Sequence, residues 1–258
     1  MTAFVKRRPD APPGFFACEA AGLRWLAVPD GVPCVRVLDV DASALTLERL
    51  HPVSPTPTEA RTFGTRLAVT HAAGAAAFGA APDGWTGTGF FGPLSNPLPM
   101  SLTGHDAWGE FYARERIGPM GERARPQLSN QARADLDTVI ARCATGEYDD
   151  GSPAARLHGD LWSGNVMWTA DGVVLIDPAA HGGHHETDLA MLALFGCPFP
   201  DDVIAGYEQV RPLRPGWRQR TALHQLYPLL AHVALFGSGY VGQTERALTA
   251  AIRASPGG

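Results

Sequence analysis

The chain has 258 residues, a net charge of −5, and 45% hydrophobic against 18% charged residues, a balance that suits a folded globular protein and is too apolar for a disordered one. No basic stripe is visible, so nucleic acid is a poor partner, and no apolar run reaches the roughly 18 residues of a membrane span. The opening MTAFVKRRPD has no apolar signal core, so the expected compartment is cytoplasmic.

Residues 2–6 read as extended. Residues 15–27 read as a helix, with Phe15, Leu23 and Leu26 at helical spacing and Glu19 between them. Residues 35–40 and 45–50 read as neighbouring strands that turn over 39–43. The Pro-rich stretch 52–57 then divides the chain into a small unit of residues 1–51 and a larger, mostly helical unit of residues 52–258. Beyond it, Thr56-Pro57-Thr58-Glu59 is a capping box with Pro at the first helical position, opening a helix expected to reach residue 77 through Phe63, Leu67 and His71. Residues 107–117 and 131–142 also read as helices. Residues 173–176 are a short buried strand stopped by Asp177-Pro178. Helices are expected over 187–195, 200–209, 216–236 and 243–254, which makes the class α+β.

Cys18, Cys34, Cys143 and Cys197 form no CxxC pair, which argues against a zinc site or a disulfide framework and for small buried hydrophobes. The basic residues are more telling. Of 21, all but Lys6 are arginine. A lysine that stands alone among arginines marks a place where a compact ammonium, not a wide planar fork, is needed.

The segment Leu157-His158-Gly159-Asp160-Leu161-Trp162-Ser163-Gly164-Asn165, followed by Val173-Val174-Leu175-Ile176-Asp177, carries the sharpest chemistry. Asp160 and Asn165 share one loop, and Asp177 ends a strand that can fold back beside it. Phosphoryl transfer in the protein-kinase-like fold needs this set: one Asp to accept the nucleophile's proton, and an Asn and a second Asp to hold Mg²⁺ on the nucleotide phosphates. A turn with Asp160 capping a helix, and Asp177 in a strand-end turn, is the structural alternative. Lys6 at a strand end and Glu19 on the next helix match the lysine–glutamate pair of the same fold. A match to GxGxxG at Gly87-Thr88-Gly89-Phe90-Phe91-Gly92 follows a helix and a turn and leads into Pro93, so it reads as a connecting loop in the large unit.

With FVK at 4–6, LERL at 47–50, WGEFYARERIGP at 108–119, LHGDLWSGN at 157–165, DPAAHGGHHETDLAM at 177–191 and FGSGYVG at 236–242, the chain resembles the fructosamine-3-kinase (ketosamine-3-kinase) family. The resemblance implies a two-lobed protein-kinase-like fold, ATP and Mg²⁺ as cofactors, and phosphorylation of the 3-hydroxyl of a free or protein-bound ketosamine, whose 3-phosphate then eliminates. It implies Asp160 as base, Asn165 and Asp177 on Mg²⁺, Lys6 on the phosphates, Glu19 orienting Lys6, and backbone at Glu48 and Leu50 as the adenine hinge. Trp162, His184, Glu186, His232 and Tyr240 are candidates for the polyhydroxylated acceptor, with Trp108 as a second stacking surface. His181, His184 and His185 with Glu186 lack helical i, i+4 histidine spacing, so zinc is not expected there. The fold places a glycine-rich hairpin before the lysine strand, and only five residues precede Lys6. Either the true start lies upstream, or the small lobe covers the phosphates differently or not at all; the chain as written is expected to bind ATP weakly. Another small-molecule kinase of the aminoglycoside or choline group, or a non-catalytic kinase-like binding protein, remains open from these residues.

Overall fold

Strand β1 (Ala3–Arg7), helix α1 (Phe15–Leu26), β2 (Val37–Val40) and β3 (Ala44–Glu48) build the small lobe. The structure is a computed structural model that describes residues 3–254; Thr2 of the expected first strand lies outside the described residues. The three strands form one antiparallel sheet in the order β1-β3-β2, with Lys6 opposite Leu45. α1 lays Phe15, Phe16, Ala20 and Leu23 against Val35, Leu45 and Leu47, the small lobe's core. β1 is an edge of the sheet, and Phe4 and Val5 on it are about half exposed.

The large lobe opens with α2 (Pro57–Ala72), which starts where the capping box places it: Thr56 Oγ1 accepts from the Glu59 N–H at 3.2 Å. α2 stops at Ala72 rather than residue 77. Gly74 takes a left-handed φ of 71°, and the chain turns so that the Ala75 N–H reaches the Ala154 carbonyl. Next come β4 (Gly89–Phe91) and β5 (Leu98–Met100), a hairpin where the sequence suggested a plain loop. The expected helix over 107–117 is α3 (Trp108–Phe111) continuing through a π-helical stretch, Tyr112–Ile117, into α4 (Gly118–Ala124). α5 (Asn130–Ala144) follows, then β6 (Ala155–Leu157), β7 (Val166–Thr169), β8 (Gly172–Leu175) and β9 (His181–Gly183).

Helices α6 (Glu186–Phe195), α7 (Pro200–Val210), α8 (Trp217–His224), α9 (Leu226–Phe236) and α10 (Val241–Arg253) complete the lobe. The single helix expected over 216–236 is two. Pro228 has no N–H to give the ladder. The buried Tyr112 hydroxyl enters the break, donating to the Leu223 carbonyl (2.8 Å) and accepting from the Tyr227 N–H (3.1 Å). An isolated parallel bridge between Cys34 and Leu175 joins the lobes: the Val35 N–H bonds the Leu175 carbonyl (2.9 Å) and the Leu175 N–H bonds the Pro33 carbonyl (2.8 Å). Asp177 is thereby held two residues beyond a strand that the small lobe itself grips.

Candidate active site

Lys6 is the first residue to place. β1 turns its side chain inward against α1, where Glu19 sits on the buried face. A carboxylate buried this far needs a positive partner, and Lys6 Nζ lies 2.9 and 2.8 Å from the two Glu19 oxygens. The same ammonium lies 3.1 Å from Asp177 Oδ1. Burial opposes charge on Lys6, but Glu19 and Asp177 outweigh it and raise its pKa above the ordinary value. Asp177 itself has a left-handed φ of 55°, uncommon for a non-glycine residue and the kind of backbone outlier found at functional sites.

The loop after β6 supplies the rest. His158 Nδ1 accepts from the Asp160 N–H (3.3 Å), which leaves Nε2–H to donate to the Ile176 carbonyl (2.9 Å), tying the loop to the strand that carries Asp177. Burial lowers the His158 pKa and keeps the ring neutral for this double role. Asn165 Nδ2 donates to the Asp160 carbonyl at 2.8 Å and approaches Asp160 Oδ2 at 3.3 Å. Its amide oxygen is then the atom left to face a metal. Burial pushes the Asp160 carboxyl up to about 7, with Asn165 pulling the other way and Asp177 adding to the rise.

Lys6, Glu19, Asp160, Asn165 and Asp177 all line one cavity of about 540 Å³, and so do Trp162, His232 and Tyr240. That volume is within the range of ligand pockets, roughly 300–1,000 Å³. The remaining sequence candidates are elsewhere. Glu48 turns its carboxylate to the Arg36 N–H (2.9 Å), its own N–H is taken by the Arg36 carbonyl (3.0 Å), and Leu50 packs against the small lobe's core. Neither lines the cavity, so the adenine hinge expected there gains no support from them. His184 and Glu186 are buried behind the site. Arg220 holds Glu186 at 2.5 and 3.0 Å, and His184 Nε2 faces Asp150 Oδ1 at 3.3 Å. Their polar atoms are committed to α8 and to the turn before β6, not to a substrate, and Trp108 packs among the same rings. His184, His185 and Glu186 bring ligating atoms within 4.8 Å of one another, yet Arg220 stands on Glu186 and Arg211 lies 3.3 Å from His185 Nδ1. Arginine, not a cation from solution, meets that charge.

Sequence reasoning missed two features. Asp188 on α6 accepts from the His158 N–H (2.8 Å) and the Gly159 N–H (3.0 Å) and also meets His71 Nε2 (3.1 Å), so it clamps the catalytic loop from below. It lay inside a quoted segment, but only its burial and partners single it out. The second is β4 with the segment after it: Phe90, Gly92 and Leu94 line the cavity, and Phe90 packs edge-on against Phe15 of the small lobe at 5.3 Å. The supposed connecting loop is a wall of the cleft.

A strand lysine paired to a helix glutamate in one lobe, facing an Asp–Asn loop and a strand-end Asp in the other, defines a kinase-like phosphotransferase. The fold agrees: an aminoglycoside phosphotransferase structure superposes with a TM-score of 0.58 at 18% identity, covering 99% of this chain and 87% of that one. The fructosamine kinase family model matches residues 1–254, and the chain belongs to that family. A Synechocystis protein described as a probable ketoamine kinase is 34% identical over 255 residues, covering 97% of this chain and 83% of that protein. A crystal structure from Thermobifida fusca, described as a putative fructosamine-3-kinase, shares 46% identity with a TM-score of 0.89, covering 98% of this chain and 86% of that one.

Proposed function

We propose that this protein is an ATP- and Mg²⁺-dependent kinase that phosphorylates the 3-hydroxyl of ketosamines of the fructosamine or ribulosamine type, so that the 3-phosphate eliminates and the amine is freed. The observation that carries this reading is Lys6 Nζ held between Glu19 (2.8 Å) and Asp177 (3.1 Å) on the wall of the cavity shared by Asp160 and Asn165. The donor set suits the cofactors. Asn165 and Asp177 offer oxygen ligands, the kind magnesium prefers, and Lys6 offers a point charge for phosphate. Bound ATP supplies the phosphoryl group, and bound Mg²⁺ neutralises the charge that develops on it.

The chain's own residues do the remainder. Lys6 holds phosphate oxygens, and Glu19 fixes Lys6. Asp160 accepts the acceptor's hydroxyl proton as that oxygen bonds to phosphorus. His232 Nδ1 is bound to the Pro228 carbonyl at 2.7 Å, which leaves Nε2 to accept from a sugar hydroxyl, and burial lowers its pKa so that it stays neutral. Trp162, 41% exposed at the mouth, and Tyr240 offer stacking surfaces to the sugar and its carrier. In this reading residues 1–51 are the small lobe, residues 52–258 the large one, and the cavity is the cleft between them.

The test is an ATP-consumption assay with fructosyl-lysine, ribulosyl-lysine, choline and an aminoglycoside, with the product's phosphorus position read by NMR. Turnover on a ketosamine, with phosphorus coupled to the proton on carbon 3, is expected. No ketosamine turnover, or preferred turnover of choline or the aminoglycoside, overturns the proposal.

A further inference from the structure

The wall of the main cavity carries two sets of side chains that differ in kind. The charged ones are contiguous: Lys6 pairs with Glu19 and Asp177, and Asn165 Nδ2 lies 2.8 Å from the Asp160 carbonyl and 3.4 Å from that of Asp177. The second set is aromatic. Around the His232 ring stand Phe195 at 4.7 Å, Tyr240 at 4.8 Å and Phe236 at 5.3 Å, and all four line the cavity. Among the described residues, the wall holds no arginine, and no lysine or carboxylate beyond the catalytic set. Arg8 reaches the Leu94 carbonyl, but it is paired with Asp10 and is not on the wall.

Phe236 ends α9 and is 55% exposed, more than any other large apolar side chain among the described residues. A single exposed phenylalanine needs no account. This one lies on the rim of the catalytic cavity and continues a ring cluster into it, with Tyr240 at 6.1 Å. It is apolar area that a ligand can remove from water. The acceptor's chemistry says which part of the ligand does so. In a ketosamine the nitrogen is on carbon 1, two atoms from the carbon whose hydroxyl meets Asp160. The ammonium therefore stays near the carboxylates, and only the group carried on the nitrogen is left to reach the aromatic set. A charge on that group would find no ion-pair partner there, and a buried polar group without one is disfavoured.

We propose that Phe195, Phe236 and Tyr240 seat the amine carrier of the ketosamine and select for carriers that are uncharged and apolar, with Phe236 as the specificity-determining residue. This rests on the ketosamine reading of the same cavity and adds to it the class of amine.

Two synthetic acceptors test it: fructose carrying benzylamine and fructose carrying ethanolamine, alike at the nitrogen and different beyond it. With saturating Mg²⁺-ATP, kcat/KM is expected to be at least about 10-fold higher for the benzyl compound, the scale of an apolar contact in a pocket. In Phe236→Ser the ratio is expected to fall below about threefold. A parent ratio below about threefold, or a tenfold ratio that survives in Phe236→Ser, overturns the proposal. Calorimetric titration of both compounds without nucleotide separates this inference from the kinase reading, since binding needs no phosphoryl transfer. If neither compound is phosphorylated, the ketosamine reading fails. Tighter binding of the benzyl compound, lost in Phe236→Ser, would then still support the aromatic seat, and equal binding or none would overturn it. Should Phe236→Ser not fold, saturation-transfer NMR on the unaltered protein decides. Stronger saturation of the carrier's phenyl protons than of the sugar's supports the seat, and equal or weaker saturation overturns it.

Discussion

Asp160, the proposed base, sits in a partly dry place close to Asp177 and Asp188, and that place pushes its carboxyl up to about 7, burial being the largest cause. A carboxyl whose folded pKa is raised favours folding below its unfolded value and loses that contribution as pH rises through about 7. Asp160→Asn keeps the shape and removes the charge. Turnover is expected to fall about 10²–10⁴-fold, the usual worth of a general base. Tm at pH 8 is expected to rise by a few degrees, while the Tm shift given by Mg²⁺-ATP stays. Turnover within about twofold of the parent would show that Asp160 is not the base. Lys6 makes a different case. Its ammonium meets three carboxylate oxygens at 2.8–3.1 Å, a space shaped for a point charge. Lys6→Arg keeps the charge but brings a planar fork that must displace either Glu19 or Asp177. A loss of about 10²-fold in kcat/KM for ATP is expected, the scale of a misplaced group. Full activity in the arginine variant would remove the reason for a lone lysine in a chain whose other basic residues are arginine.

Among the elements, α2 and α7 make the tightest contact, and two glycines allow it. A Cβ on Gly64 would overlap the Val203 carbonyl, and a Cβ on Gly206 would overlap the Arg61 carbonyl, backbone against backbone. Gly206→Ala must push the helices apart and is expected to destabilise the protein by about 2–3 kcal/mol, read as a lower urea midpoint at unchanged slope. A midpoint equal to the parent's would mean the contact yields freely. Neither glycine could be read from the sequence, because close approach of two helices 140 residues apart leaves no local mark. What the sequence did reveal was local or chemical. The Thr56 capping box, α1 with Glu19 on its inner face, and the loop of Asp160 and Asn165 each declare themselves within a few residues. The misses share the opposite cause. β4, β6 and β9 have three residues each and exist because a partner strand holds them. The break between α8 and α9 is completed by Tyr112, more than 100 residues away. His184 and Glu186 looked like substrate residues because polar side chains beside Asp177 suggest a site. Only the fold reveals that Arg220 and Asp150 had already taken them.

At the scale of the whole molecule, the buried carboxylates are what holds the helical layers to the catalytic loop, and they make stability depend on acid in a definite direction. Glu186 joins α6 to α8 through Arg220, Asp150 joins the turn before β6 to His184, and Asp188 joins α6 to α2 through His71 and to the catalytic loop. Burial alone would raise all three, but hydrogen bonds and charge from the surrounding histidines and Arg220, with backbone donors, outweigh it and hold each below the ordinary carboxylate range. A depressed folded pKa contributes stability that is complete above the unfolded value, near 4, and is lost as pH falls through the folded value. These three carboxylates are therefore expected to leave the thermal midpoint unchanged between about pH 7 and 5, where Asp160 and the buried histidines titrate instead, and to lower it steeply below about pH 4. Glu186→Gln removes one of the three titrations. Its Tm is expected to lie below the parent's at pH 7, because Arg220 is left without its carboxylate, and the gap is expected to narrow as pH falls below about 4, where Glu186 of the unfolded parent takes up a proton. A gap that stays constant from pH 7 to pH 3 would show that the Glu186–Arg220 pair contributes through packing alone, and that the layers are not held by charge.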